Sequence, residues 1–285
     1  GHELRAVMLC RHTVAGQYVD LVRRHAPQAR LLFDTVDLHF LREHRAARLR
    51  ANAPMIRHAR TSRHSEMALI KCCDVTLVVS PYEQKLLARL APQAKVELLS
   101  NIQQIHGCRH GHDQRRDLLF IGGYGHPPNA DAIRWMAQDI LPALRKEVPD
   151  IKLHVFGDIP DDARRSLATP GLELHGRVED LTPWMDSCLA SLAPLRFGAG
   201  VKGKINMAMS YGMPVIATTT AVEGMQLRDG SDVLVADTPA ACVIAVLQLQ
   251  RDAALWQRLS AGGMENVLRY FSPAAADATL RRILH

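Results

Sequence analysis

Apolar runs of three to six residues, rich in Val, Ile and Leu, alternate with segments of helical period along nearly the whole chain. Val7-Met8-Leu9-Cys10 and Leu31-Leu32-Phe33 read as strands, with a helix near Gln17–His25 between them. After a long helical stretch come Val75-Thr76-Leu77-Val78-Val79, a helix from Pro81 to about Leu90, and Val96-Glu97-Leu98-Leu99. Strands that are apolar throughout, rather than at every second position, indicate parallel βαβ units buried on both faces. The polar stretch His106–Arg116 has no periodicity and reads as a linker. Beyond it, Leu118-Leu119-Phe120-Ile121 runs into Gly122-Gly123, and a helix opening at Pro127-Pro128-Asn129 carries Ile133, Trp135, Met136, Ile140 and Leu141. Ile151–Phe156, Leu172–Leu174, Ala190–Leu195, Pro214–Ala217 and Val233–Val235 supply five more strands, and helices fill the chain from Pro239 onward. The pattern predicts an α/β fold of two Rossmann-like, doubly wound domains. The first, smaller one takes residues 1–105, a linker 106–116, and the second 117–270. A final helix over 271–285 is expected to pack back on the first domain.

Length and composition keep this picture. The 285 residues are 47% apolar and 22% charged, which is globular and excludes disordered, collagen-like and coiled-coil chains. No apolar run approaches the ~20 residues of a membrane span, and no signal peptide is visible. Gly1-His2, without an initiator Met, reads as a cloning remnant, so the natural chain is expected to begin upstream. The cysteines Cys10, Cys72, Cys73, Cys108, Cys188 and Cys242 lack a framework spacing and read as reduced thiols of a cytoplasmic protein, with vicinal Cys72-Cys73 expected to be buried.

The most informative stretch is Ala193–Gly212, APLRFGAGVKGKINMAMSYG, which leaves a strand and enters a helix. Gly198, Gly200 and Gly203 satisfy the dinucleotide pattern G-x-G-x-x-G, but the motif stands late in the chain rather than in a first βα turn. Gly198, Gly203 and Lys204 satisfy G-x-x-x-x-G-K, but Ile205 stands where a P-loop needs a hydroxyl for Mg²⁺. Both partial matches share one content: a loop stripped of side chains, a helix N-terminus and two lysines, which together suit a diphosphate. A tight turn with solvated lysines is the alternative. Gly122-Gly123-Tyr124-Gly125 also leaves a strand and precedes a helix. Ligands of open α/β sheets bind outside the carboxyl ends of the strands, so one crevice shared by both loops is expected.

The second half resembles the nucleotide-sugar-binding domain of GT-B-fold retaining glycosyltransferases, the family called glycosyl transferases group one. The matching stretches are FIGGYGHPPNADAIRWM (Phe120–Met136), LHVFGD (Leu153–Asp158), LHGRVEDLTPWM (Leu174–Met185), APLRFGAGVKGKINMAMSYGMPVIAT (Ala193–Thr218) and AVEGM (Ala221–Met225). FDTVDLHFLREHR (Phe33–Arg45), VTLVVSPYE (Val75–Glu83) and LLSNI (Leu98–Ile102) match more weakly. The resemblance implies that the first domain is an incomplete acceptor-side domain. It implies that Gly122 and Gly123 approach the diphosphate of the donor, with Lys202 and Lys204 countering its charge. The backbone at Arg177 and Val178 would hold the base, and Arg196 and Gly200 would complete the donor loop. The family's two glutamates, eight residues apart, fall on Ala199 and Met207, so neither is present; Glu223 is the carboxylate left to compensate. Asp37 and His39, just past a strand of the first domain, are the acceptor-side candidates. No metal and no resident cofactor are implied, and the donor would be a UDP or GDP sugar.

Charge adds one local feature. Residues 1–63 hold 12 Arg, no Lys and 5 acids, for +7, whereas the other 222 residues sum to −1. Arg42, Arg45, Arg48, Arg50, Arg57, Arg60 and Arg63 form either a solvated basic helix or a surface for anionic lipid or an anionic acceptor. Aromatics for base stacking are missing after Phe40, so nucleic acid is not expected. His106, Cys108, His110 and His112 alternate along the linker without zinc-site spacing, and read as a polar hinge. The expected function is transfer of a sugar from a nucleoside diphosphate to a glycan or lipid-linked acceptor, with retention, in a cytoplasmic protein that reaches the inner membrane face. A non-catalytic scaffold that has lost donor binding, and a nucleotide-sugar epimerase, are the alternatives.

Overall fold

The computed structural model describes residues 4–284, so Gly1-His2 lies outside the described residues. The first domain holds β1 (Ala6–Cys10), α1 (His12–His25), β2 (Arg30–Asp34), α2 (His39–Leu49), α3 (Ala53–Cys72), β3 (Val75–Val78), α4 (Pro81–Leu90) and β4 (Val96–Leu98). Its four strands pair in parallel in the order β1-β2-β3-β4. Side chains alternate across a strand, so Leu31 and Phe33 face one side while Leu32 faces the other. Leu31 and Phe33 join Val78, Leu38, Phe40, Leu69 and Leu87 from the sheet and the α2–α4 region. Leu32, with Val75 and Leu77, instead packs on Ile283 near the chain's end. Burial on both faces is why these strands read as unbroken apolar runs.

The second domain holds β5 (Arg116–Ile121), α5 (Pro127–Trp135), α6 (Leu141–Glu147), β6 (Leu153–Phe156), α7 (Asp161–Leu167), β7 (Leu172–Gly176), α8 (Thr182–Ser187) and β8 (Cys188–Ala193). It continues with α9 (Gly203–Ser210), β9 (Val215–Ala217), α10 (Thr219–Val222), β10 (Leu234–Val235), α11 (Pro239–Arg251) and α12 (Ala253–Tyr270). A π-helical turn over Met136–Ile140 joins α5 to α6. The strand order is β10-β9-β8-β5-β6-β7, all parallel. The winding direction reverses between β5 and β8. At such a switch point the connections leave on opposite faces and a crevice opens above the strand ends.

The last helix, α13 (Pro273–Leu284), returns to the first sheet, where Arg282 pairs with Glu97 at 2.8 Å and Arg30 donates to the Ile283 carbonyl. The polar linker is held rather than free. His106 N–H donates to the Ser210 carbonyl at 2.8 Å, and the His106 ring stacks on Tyr211. Arg115, just before β5, is buried against Trp256 and donates to the Met185 and Cys188 carbonyls. One expectation is corrected: Cys72 is exposed and Cys73 only half-buried. Leu69 and Ile70 take the inward positions of the last turn of α3, which leaves Cys72 at the solvent end with its thiol donating back to the Leu69 carbonyl.

Candidate functional site

A cleft of about 370 Å³ lies between the two domains, over the β5/β8 switch point. Asp37, His39 and Arg42 line it from the first domain; Asn129, Ala199, Lys202 and Lys204 line it from the second. The loop after β5 is pressed flat beside the cleft, behind Asn129 and Lys204, and Gly122 and Gly123 are not among the residues that line it. A Cβ on Gly157 would lie 2.6 Å from both Gly122 C and Gly123 N, and one on Gly122 would lie 2.8 Å from Lys204 Nζ. Glycine is needed at 157, where φ is +140° and the Gly122-Gly123 backbone crosses directly over it.

Two helix N-termini converge on that loop. Asn129, in the first turn of α5, donates to the Gly123 carbonyl at 3.2 Å and accepts from Lys204 Nζ at 2.6 Å. Lys204, in the first turn of α9, also lies 4.1 Å over the Phe120 ring. Burial and the charge of Lys202 push its ammonium down to about 7. Lys202 lies in the same cleft, but its ammonium turns back on the Ala199 and Gly200 carbonyls of its own loop. Burial pushes it down to about 8, although Glu83 and Glu223 oppose the change. Lys204, half-neutralised at the N-terminus of α9, favours an incoming anion, which restores its charge and accepts its hydrogen bonds, and the N-terminus of α5 adds its own dipole.

The other donor-side candidates are engaged elsewhere. Arg196 makes a two-pronged pair with Asp131 of α5, at 2.8 and 2.6 Å, and stacks on Trp135. Glu223 is clasped by Arg45 of α2 at 2.7 and 2.9 Å, so the carboxylate expected to compensate for Met207 is spent on a contact between domains. Arg177 is exposed beyond the end of β7 and pairs with Asp158 at 2.6 Å, with Val178 packed at the edge of the core. Neither Arg177 nor Val178 lines the cleft. Met207 lies half-buried against the second core, whereas Ala199 opens into the cleft. Gly200 (φ +68°) brings the loop so close to the first domain that a Cβ would lie 2.9 Å from Asp37 Cβ.

On the first-domain side, Asp37 is buried and ion-paired with Arg42. His39 Nδ1 lies 3.1 Å from the Asp37 carbonyl and 3.6 Å from Glu66. Burial alone would lower the His39 pKa, but Glu66 and Asp37 raise it overall. Glu66, fully buried on α3, caps α2 by accepting from His39 N–H at 3.0 Å and Phe40 N–H at 2.8 Å. Burial also pushes the Glu83 carboxyl up to about 7, against the Leu38 N–H it accepts.

Arg11, Asn101, His126 and Asn129 also line the cleft and escaped the sequence reading. Asn129 had a usable signal, because it opens a helix directly after the glycine turn; the others depend on chain crossings that no local pattern records. The Arg-rich stretch divides: Arg42 and Arg45 turn inward to Asp37 and Glu223, while Arg48, Arg50, Arg57, Arg60 and Arg63 are exposed. Among the described residues no helix is long and apolar enough to cross a membrane.

Residues 115–252 match the family model described as glycosyl transferases group 1. A phosphatidyl-myo-inositol mannosyltransferase of Mycobacterium leprae is 30% identical over 195 residues, covering 65% of this chain and 50% of that protein. Among solved structures, S. aureus TarM superposes with a TM-score of 0.79 at 12% identity, over 100% of this chain and 56% of TarM. Anabaena HepE, solved with UDP and glucose, superposes with a TM-score of 0.70 at 13% identity, over 97% of this chain and 77% of HepE. The chain thus spans about half the length of the mannosyltransferase and of TarM. Residues 115–252 are thus similar to the glycosyl transferases group 1 family, and the two domains have the GT-B fold.

Proposed function

We propose that this chain supplies the donor site of a glycosyltransferase that moves a sugar from a UDP or GDP sugar to a glycan or lipid-linked acceptor, with retention. The observation that carries this reading is the meeting of Lys204 with the glycine turn: its ammonium lies where a Cβ on Gly122 would touch it, between two helix N-termini. In this reading the diphosphate sits against the Gly123 amide, since the Gly122 amide is donated to the Phe156 carbonyl at 2.8 Å. Lys204 exchanges its bond to Asn129 for one to phosphate, and takes up a proton as it does so. Charge that develops on the departing diphosphate is met by groups already aimed at it, which is the largest single contribution in many enzymes. Asp37 and His39 face the same cleft from the acceptor side. HepE and TarM, solved with UDP, support a nucleoside diphosphate as the ligand class.

Calorimetry with UDP, GDP and their sugars tests the proposal. Binding that Lys204→Ala weakens is expected, and silence across all of these nucleotides would overturn it in favour of the scaffold alternative. Met207→Glu is expected to raise nucleotide affinity, because it restores a hydrogen-bond acceptor where the family places its second glutamate; a thioether accepts only weakly.

The five exposed arginines of α2, α3 and the turn between them favour one addition. We infer that this face rests on anionic lipid, which would keep a lipid-linked acceptor near the cleft.

A further inference from the structure

Three side chains far apart in sequence meet behind the first-domain wall of the cleft: His12 at the start of α1, His39 at the start of α2, and Glu66 within α3. One ligating atom from each lies within 4.8 Å of the others. His39 Nδ1 and His12 Nδ1 stand 3.6 and 3.8 Å from the same oxygen, Glu66 Oε1. The two rings meet edge to face, with centroids 4.8 Å apart. The side chains are 11%, 13% and 0% exposed, so the cluster is enclosed but lies close to the cleft.

Two details separate this cluster from an ordinary buried hydrogen-bond network. His12 Nδ1 is shut off from solvent and has no hydrogen-bond partner. Buried polar atoms almost always have one, so an orphan calls for an explanation. The Glu66 carboxylate is held in place by the His39 and Phe40 amides, one on each oxygen, which leaves each oxygen a free lone pair. Outer hydrogen bonds of this kind are what orient a carboxylate ligand at a metal.

We propose that His12, His39 and Glu66 form a binding site for one divalent transition-metal cation of the zinc type. Two imidazoles and one carboxylate make a three-ligand set that zinc accepts with a fourth position left over. Ligands at about 2.1 Å on a tetrahedral ion stand about 3.4 Å from one another, against two gaps of 3.6 and 3.8 Å here and every gap within 4.8 Å. His39 Nδ1 would exchange its 3.1 Å contact with the Asp37 carbonyl for the ion. Asp37 Oδ1, 3.3 Å from His39 Nδ1, is within reach of the fourth position. Because Asp37 and His39 line the cleft, an ion here borders the space assigned to the acceptor. The site stands on its own geometry, whatever nucleotide the second domain binds.

The linker residues His106, Cys108, His110 and His112 are the competing place for a metal, and the experiment must separate the two. Protein freed of metal with a chelator is titrated with Co²⁺, read by its visible absorption, and with Zn²⁺, read by calorimetry. One equivalent is expected, with the intense visible bands of four-coordinate cobalt. His12→Gln is expected to weaken binding at least tenfold while far-UV circular dichroism stays unchanged, because His12 Nδ1 gives up no hydrogen bond on replacement. The double variant Cys108→Ser with His110→Gln is expected to bind as the parent does. Absence of binding by the parent protein overturns the proposal, and so does binding that survives His12→Gln but is lost in the linker variant.

Discussion

Arg45 and Glu223 clasp each other across the two domains through parallel bonds of 2.7 and 2.9 Å, and Arg45 also donates to the Gly198 carbonyl at 2.8 Å. The pair joins α2 of the first domain to the loop after α10, beside the glycine-rich loop at Gly198. It is partly exposed, with 22% and 27% of the side chains accessible, so solvent screens part of its strength. A two-pronged guanidinium–carboxylate contact is nevertheless stronger and more directional than a single-pronged one. Arg45→Met and Glu223→Gln are each expected to lower stability by about 1 kcal/mol. Their double variant should lose less than the sum, by about 0.5–1 kcal/mol. Denaturant titration at low and at 0.5 M salt measures the cycle; additive losses would show that the clasp does not couple the domains.

Lys204 carries opposite demands of stability and binding. Burial lowers its ammonium to about 7, whereas in the unfolded chain it titrates at about 10.4. Between pH 7 and about 10.4 the unfolded state therefore binds more protons. Stability from this group rises with pH across that window and is lowest below it. Lys204→Met is expected to raise the thermal midpoint at pH 7 while weakening nucleotide affinity by about 10–100-fold. In the parent protein, affinity should fall as pH rises above 7, because the free lysine must then take up a proton to bind. Flat affinity from pH 6 to 9 would remove Lys204 from the diphosphate.

Gly157 decides how closely the Gly122-Gly123 turn approaches. A methyl group there would sit 2.6 Å from the Gly122-Gly123 backbone, which cannot swing aside as a side chain can. Gly157→Ala is expected to cost about 2–4 kcal/mol through displaced backbone and strain at φ +140°. Gly230→Ala, with φ +72° but open space around its Cβ, carries only the backbone strain and should cost less. Urea unfolding of the two variants gives the comparison directly.

The exposed arginines predict a salt-sensitive surface. Arg57→Ala with Arg60→Ala is expected to reduce cosedimentation with vesicles containing phosphatidylserine, at about 1 kcal/mol per charge near the membrane. Neutral vesicles should capture neither protein, and 0.5 M salt should abolish the difference. Equal cosedimentation of parent and variant would leave this face merely solvated.

The architecture was legible because parallel strands buried on both faces leave continuous apolar runs, and each predicted strand has its counterpart among β1–β10. The loops at Gly122 and Gly198–Lys204 were legible for a related reason. Glycines at a strand-to-helix junction mark a tight turn, and the junction places them at the carboxyl ends of strands whatever the packing. The partnership of Lys204 with Asn129 was not visible, because 75 residues separate them and only the β5–β8 reversal brings the starts of α5 and α9 together.

The residues already committed were likewise invisible in the sequence. Arg196, Glu223 and Lys202 looked alike as charged groups near a donor loop. Which charges remain free for a ligand depends on whether an opposite charge or carbonyl stands within about 3 Å, and that is set by helices arriving from elsewhere. The same holds for His12, His39 and Glu66, each unremarkable in its own segment. Local periodicity and glycine placement are properties of neighbours along the chain, so the amino-acid order alone determined the two α/β domains and the glycine-rich turns at the strand ends. Charge pairing and ligand convergence are properties of neighbours in space, and only the packed structure decided them.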